Sequence, residues 1–500
     1  MSERSDAPRV RPCPQAGEEP VEFRLASSLF LLLNSPLFPD EEEDGWRVIR
    51  RHPGDAPGSG QARQRAKQTA AGQVATGSAI GYTVPFHPRR PLSPVSRRSH
   101  LTAALAALFI AGGALAAGLK WCHRVERGYV HELAADFSDS KLHGAALQKA
   151  AFAEDDLLIL YGSSELTQNV PTSAEQFFRD YPTGFRVFPV GKHGTAALAM
   201  LQKVAAVGPG ISGRKVAHSF SPGFFFEEIF DPGQYAGNFS AMQAYELAFS
   251  RHLSRELKRD VARRMLAFPQ TLEDEWLLET ALERLAGDTT ADRALYGLLC
   301  PLGYLNNAIK RAQDHAEATL HVLEEDDAPD ASGSFRRRAR LAPNWSRLVK
   351  GSANVVHGIV ESKRKQAKKV RPKTSRDKVF LERVGKAREW TDAELLLRTF
   401  KELKAKPLLL CMPIEDIRLE AAGLSPSARD VFIKRLNGLA KAYDFPLLTF
   451  REHESDPGFL SDFFDHLSVK GWIYYDRALD DFFHDRPPNT APTPEPSPIP

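Results

Sequence analysis

Two periodicities alternate along the chain. Short apolar runs of strand length occur at DLLILY (Asp156–Tyr161), GFRVFPV (Gly184–Val190), KVAHSF (Lys215–Phe220), PLLLCMPI (Pro407–Ile414) and FPLLTF (Phe445–Phe450). Between them lie stretches with helical spacing of apolar residues: SAEQFFRDY after the first run, TAALAMLQKVAAV after the second, and RDVFIKRLNGLAKAYD between the last two. Strands alternating with helices predict an α/β fold, a parallel sheet with helices on both faces. From about residue 240 to 400 the pattern is helical, beginning with SAMQAYELAFSRHLSRELKRDVARRMLAF, and predicts a helical insertion between the third and fourth strands.

A different pattern precedes this body. LTAALAALFIAGGALAAGL, Leu101–Leu119, carries no charge, and nineteen helical residues approach the ~30 Å of a hydrocarbon core. Arg89, Arg90, Arg97 and Arg98 lie before it, and Lys120, Arg124 and Arg127 after it. Its Ala and Gly content and sharp basic flanks argue against a buried core helix. The segment starts a hundred residues in, so an uncleaved anchor is favoured over a signal peptide. The positive-inside rule keeps the arginine side cytoplasmic and the rest of the chain outside, a single-pass cell-membrane protein.

The expected organisation is therefore residues 1–99 as a disordered extension, 100–121 as a transmembrane helix, 122–485 as an extracytoplasmic domain, and 486–500 as a proline-rich tail. Within the extension, Leu25–Phe38 reads as a short amphipathic or interfacial helix.

Composition narrows the function classes. Of 500 residues, 66 are basic and 63 acidic, a net charge of +3, which gives no global case for nucleic acid. Cys13, Cys122, Cys300 and Cys411 share no CxxC spacing, so a cysteine zinc site is not expected, while a Cys300–Cys411 bridge stays open. No metal or cofactor is called for. A local basic block runs from Arg336–Arg340 through Ser362–Lys378. It is either a solvated face or a patch for an anionic lipid or envelope polymer.

Two glycine motifs carry no chemistry. GPGISG, Gly208–Gly213, follows a helix and precedes a strand, the reverse of the dinucleotide-binding order. VGKHGT lacks the earlier glycine of a P-loop. YGSSEL is different: it puts Ser164 just past the first strand, at the start of the helix that SAEQFF continues after a loop, where backbone N–H groups can hold an oxyanion. A serine hydroxyl needs a base, and FLSDFFDHLSVKGW offers His466 with Asp462 four residues before it and Asp465 adjacent. In a helical turn Asp462 would share the histidine's face. His218 reads as a packed strand residue, and Cys411 as a small buried one.

GSSEL after a first strand, VGKHGTAAL, SPGFF and the terminal DHLSVKGWIYYDRALDDF together, in this order over about 120–485, resemble the DltD family. That family comprises membrane-anchored proteins of D-alanine transfer to cell-envelope polymers, with an SGNH-hydrolase-like domain. The resemblance implies Ser164 as nucleophile and His466 as base. It also implies oxyanion donors from the backbone of Ser164 and the loop at Gly194, with Glu165 and SPGFF lining the site. The family pattern places aspartate three residues before the histidine, where this chain has Phe463, so Asp462 or Asp465 must supply the acid.

The implied function is D-alanyl transfer to teichoic acid or lipopolysaccharide, with the membrane and an anionic polymer as partners. An acyl carrier protein or a membrane O-acyltransferase would be a further partner. The alternatives are an envelope polysaccharide O-acyl esterase or acetyltransferase, and a non-catalytic assembly partner of a membrane acyltransferase.

Overall fold

The computed structural model describes residues 97–228, 230–324, 343–370, 372, 374–463 and 465–490. The expectations for Leu25–Phe38, Arg336–Arg340 and the end of the tail fall outside these residues. The chain divides into two units between Ala111 and Gly112. An apolar helix, Arg97–Tyr129, runs through this division. Its stretch His100–Tyr129 is long and apolar enough to cross a membrane, and large apolar side chains such as Leu108, Phe109 and Ile110 are exposed.

In the second unit five strands form one parallel sheet, β1 (Leu157–Tyr161), β2 (Arg186–Val190), β3 (Lys215–Phe220), β4 (Lys406–Cys411) and β5 (Leu447–Leu448). Their order is β2-β1-β3-β4-β5, so the chain reverses direction across the sheet after β2. Such a reversal opens a crevice at the carboxyl ends of the strands, where α/β folds place their sites. The five apolar runs of the sequence are these five strands.

Strand alternation splits the core. Leu157, Ile159 and Tyr161 join one cluster with helices Ala146–Ala153, Ala197–Val207, Glu389–Glu402 and Pro426–Ala442. Leu158 and Leu160 join another with helices Ala174–Asp180 and Val469–Phe483. Both faces are covered, which explains why the strands read as continuous apolar runs. Between β3 and β4 lie the helices of the insertion, including Trp276–Ala286, Thr290–Glu324 and Trp345–Val370. GPGISG forms a 3-10 turn, Gly208–Ile211, between a helix and β3, with Gly208 and Gly213 at positive φ. Cys122, Cys300 and Cys411 are free thiols.

Candidate active site

The serine turn is built by close packing of two strand ends. A Cβ on Gly191, just after β2, would lie 1.9 Å from the Gly162 carbonyl oxygen, so only glycine lets these ends touch. Gly162 N–H donates to Val190 O at 3.2 Å. Ser163 Oγ donates to Lys192 O at 3.4 Å, which links the serine turn to the loop that carries Gly194. Glu165 folds back, and its Oε1 accepts from Ser163 N–H at 3.0 Å. Ser164 begins a 3-10 turn that ends at Thr167, and the next helix starts separately at Ala174. The expected helix start is thus a single turn, because Gln168 returns to extended geometry.

The histidine arrives from the far end of the chain. A loop closes on the bridge Leu460–Leu467 and on Ser461 N–H donating to His466 O at 2.8 Å. Ser468 then caps helix Val469–Phe483, accepting from the N–H groups of Lys470 and Gly471. A Cβ on Gly471 would sit 2.2 Å from Phe459 O, and Trp472 is fully buried. The HLSVKGW run is therefore a cap, a close approach and an anchor in succession.

This loop places His466 Nε2 2.9 Å from Ser164 Oγ, across 302 positions of sequence. His466 Nδ1 lies 2.6 Å from Asp462 Oδ2. Asp465 points elsewhere: its carboxylate takes Arg418 Nη1 at 2.6 Å and Gly223 N–H at 2.7 Å, and also accepts from Ser221 Oγ. The contact four residues apart comes from a bridged loop and not from the helical turn expected. Phe463, three residues before His466, is buried.

Electrostatics follow from these partners. Burial pulls the His466 pKa down, but the hydrogen bond and charge of Asp462, with Glu165 and Asp465 nearby, outweigh it and raise the net value. Burial pushes the Glu165 carboxyl up to about 7, against its bond to Ser163. Asp465 is also desolvated, yet Arg418, Ser221 and Gly223 hold it below the usual carboxylate range. His218 sits buried in β3 with neither ring nitrogen hydrogen-bonded; burial lowers it to about 3, so it is neutral packing.

Gly194 has φ of 76° in a loop held by Asn238, whose Nδ2 donates to His193 O at 3.0 Å. His193 itself is exposed.

Sequence reasoning missed the supports of the His466 loop. Lys363, read from the sequence as part of a basic block that is either a solvated face or a patch for an anion, is buried, with Nζ 2.6 Å from Glu415 Oε2 and 2.7 Å from Leu460 O. Glu415 Oε1 accepts from Leu460 N–H at 2.9 Å. Arg418 gave no signal either. Buried Ser352, Val356, Lys363 and Ala367, spaced four and seven residues apart, form the inner face of helix Trp345–Val370.

The DltD protein family model matches residues 134–484, most of the chain. The chain belongs to the DltD family. It is 28% identical over 371 residues to Protein DltD of Bacillus subtilis, covering 71% of this chain and 89% of that protein. Similarity to Protein DltD of Lacticaseibacillus rhamnosus is 23% over 375 residues, with 72% and 85% covered. For Protein DltD of Staphylococcus aureus it is 21% over 350 residues, with 70% and 87% covered. The match to the DltD family takes in both the serine turn and the His466 loop.

Proposed function

We propose that this chain is a membrane-anchored DltD protein that moves D-alanyl groups to an envelope polymer through a serine acyl-enzyme. The observation carrying the proposal is the Ser164–His466–Asp462 relay, with distances of 2.9 Å and 2.6 Å. Asp462 fixes the proton of His466 on Nδ1, leaving Nε2 to accept the Ser164 proton. Ser164 Oγ attacks the acyl carbonyl while its proton passes to Nε2. The N–H groups of Ser164 and Gly194 are assigned to the developing oxyanion. Collapse breaks the bond to the leaving alcohol or thiol, which takes the proton back from Nε2. An acceptor hydroxyl then gives its proton to Nε2 and attacks the acyl-serine; the acyl–Oγ bond breaks and Ser164 Oγ takes the proton back from Nε2.

The His466 loop and the strand ends make the domain SGNH-hydrolase-like in this reading. Helix Arg97–Tyr129 serves as a single-pass anchor that leaves the domain extracytoplasmic. The test is intact-protein and peptide mass spectrometry after incubation with a D-alanyl thioester. A gain of one alanyl group on Ser164, absent from Ser164→Ala, supports the reading. Hydrolysis of acetyl esters with no alanyl adduct would instead favour a polysaccharide O-acyl esterase. Neither product nor adduct would leave the family role to a non-catalytic assembly function.

A further inference from the structure

Helix Thr290–Glu324 holds a sixteen-residue stretch without a single charge, ALYGLLCPLGYLNNAI, Ala294–Ile309. An apolar segment of this size is normally either a core helix or an interfacial one. One face is core: Tyr296, Gly303 and Asn307 are buried. The other face is not. Leu295, Leu298, Leu302, Leu305 and Ile309 are 45%, 74%, 52%, 60% and 50% exposed. Their spacing of three and four residues lines them along one side for roughly 21 Å, at 1.5 Å per residue.

Two further observations bear on what covers this face. The same helix meets the foot of the apolar helix Arg97–Tyr129, with His315 Nδ1 2.7 Å from Glu126 Oε1 and the His123 and His315 rings 4.2 Å apart. The stripe therefore belongs to a helix tied to the chain where it leaves its membrane-length segment. Its rim also carries groups suited to headgroups: exposed Arg251 stacks over Tyr304 at 4.3 Å. Trp276, on the adjoining helix Trp276–Ala286, is 66% exposed. Amphipathic aromatics and arginine beside an apolar stripe are the composition of an interfacial surface.

We infer that the exposed leucine face of helix Thr290–Glu324 lies in the bilayer interface and docks the globular domain onto the membrane that anchors it. The inference rests on the anchoring part of the proposed function and not on the acyl chemistry. Docking would hold the domain in one orientation, where a lone helix leaves it free to tumble.

The full chain in nanodiscs of phosphatidylcholine and phosphatidylglycerol, with and without bromine-labelled acyl chains, tests this. Three variants add a tryptophan to an exposed site: Leu302→Trp in the stripe, Leu108→Trp in the apolar helix, and Val431→Trp on helix Pro426–Ala442. Emission added by Leu302→Trp and Leu108→Trp should be largely lost to the brominated lipid, and that of Val431→Trp retained. Quenching at Leu108→Trp with none at Leu302→Trp overturns the docking alone and leaves the face to an apolar protein partner. Equal quenching at Leu302→Trp and Val431→Trp also overturns it. No quenching at Leu108→Trp removes the anchor itself, and the docking with it.

Discussion

The serine turn and the histidine loop meet at one point but are held by different means. Gly162, Ser163 and Glu165 fix the turn within four residues, aided by the neighbouring strand end at Gly191. The loop from Gly458 to Ser468 is tied by groups far away in sequence: Lys363 and Glu415 at Leu460, and Arg418, Ser221 and Gly223 at Asp465. A hydroxyl set by local backbone geometry needs little outside help. A histidine on an irregular loop gets its precision from buried ion pairs, so its position is linked to the helical insertion.

The largest break comes from the two groups of the proposed relay. Ser164→Ala and His466→Ala should each lower acyl transfer by about 10⁴-fold or more while the thermal midpoint holds. The double variant should be no worse than either, since the pair acts as a unit. Single-turnover transfer assays and thermal scans check this.

The two aspartates sharpen the comparison next. Asp462→Asn should cost about 10²–10⁴ in rate by releasing the histidine's tautomer, with little loss of stability. A base must be neutral to accept a proton, and Asp462 raises His466, so the acid limb of the wild-type pH–rate profile should lie above the ordinary histidine value. In Asp462→Asn that limb should move to lower pH. Asp465→Asn should do the reverse to stability, lowering the melting point by leaving Arg418 buried against a neutral group.

Lys363→Met tests the distant tie. It strands Glu415, so stability should fall by roughly 3–5 kcal/mol in denaturant melts. The paired change Lys363→Met with Glu415→Leu should regain much of that stability while transfer remains slow, because Leu460 loses both hydrogen bonds.

Glu165→Gln probes the local side. The folded carboxyl titrates near 7, above its unfolded value, so the folded state holds the extra proton between the two. Stability from this group therefore falls as pH rises through that window. The glutamine keeps an oxygen for Ser163 N–H and should flatten the slope, gaining up to about 3 kcal/mol above pH 7. Melting curves across pH 5–8 read this directly.

The smallest effect belongs to the solvent side of helix Trp345–Val370. Neutralising Lys365, Lys368 and Lys369, all exposed, should leave stability unchanged and weaken contact with anionic vesicles by at most about 1 kcal/mol per charge at low salt. Including Lys363 would confound the measurement with unfolding.

The same contrast explains what the sequence made legible. Runs such as LLILY and LLLC mark strands because both sheet faces are covered, and a glycine with two serines marks a strand end where backbones crowd. His466 stood out through the run that follows it, where the cap at Ser468 and the close approach at Gly471 are written side by side. The choice between Asp462 and Asp465 was not legible, since it depends on Arg418, 47 positions from Asp465. Lys363 was misread for a related reason: four of its neighbours from Arg364 to Lys369 are exposed cations, and burial of one lysine among them follows only from tertiary packing.

The proposed activation of Ser164 by His466 is best measured without any natural substrate, by the rate at which a fluorophosphonate probe labels the full chain. Labelling should map to Ser164 by peptide mass spectrometry, slow strongly in Asp462→Asn, vanish in His466→Ala, and rise with pH along one ionisation. Labelling of His466→Ala at the wild-type rate, or none at Ser164 in the wild-type chain, would contradict the relay.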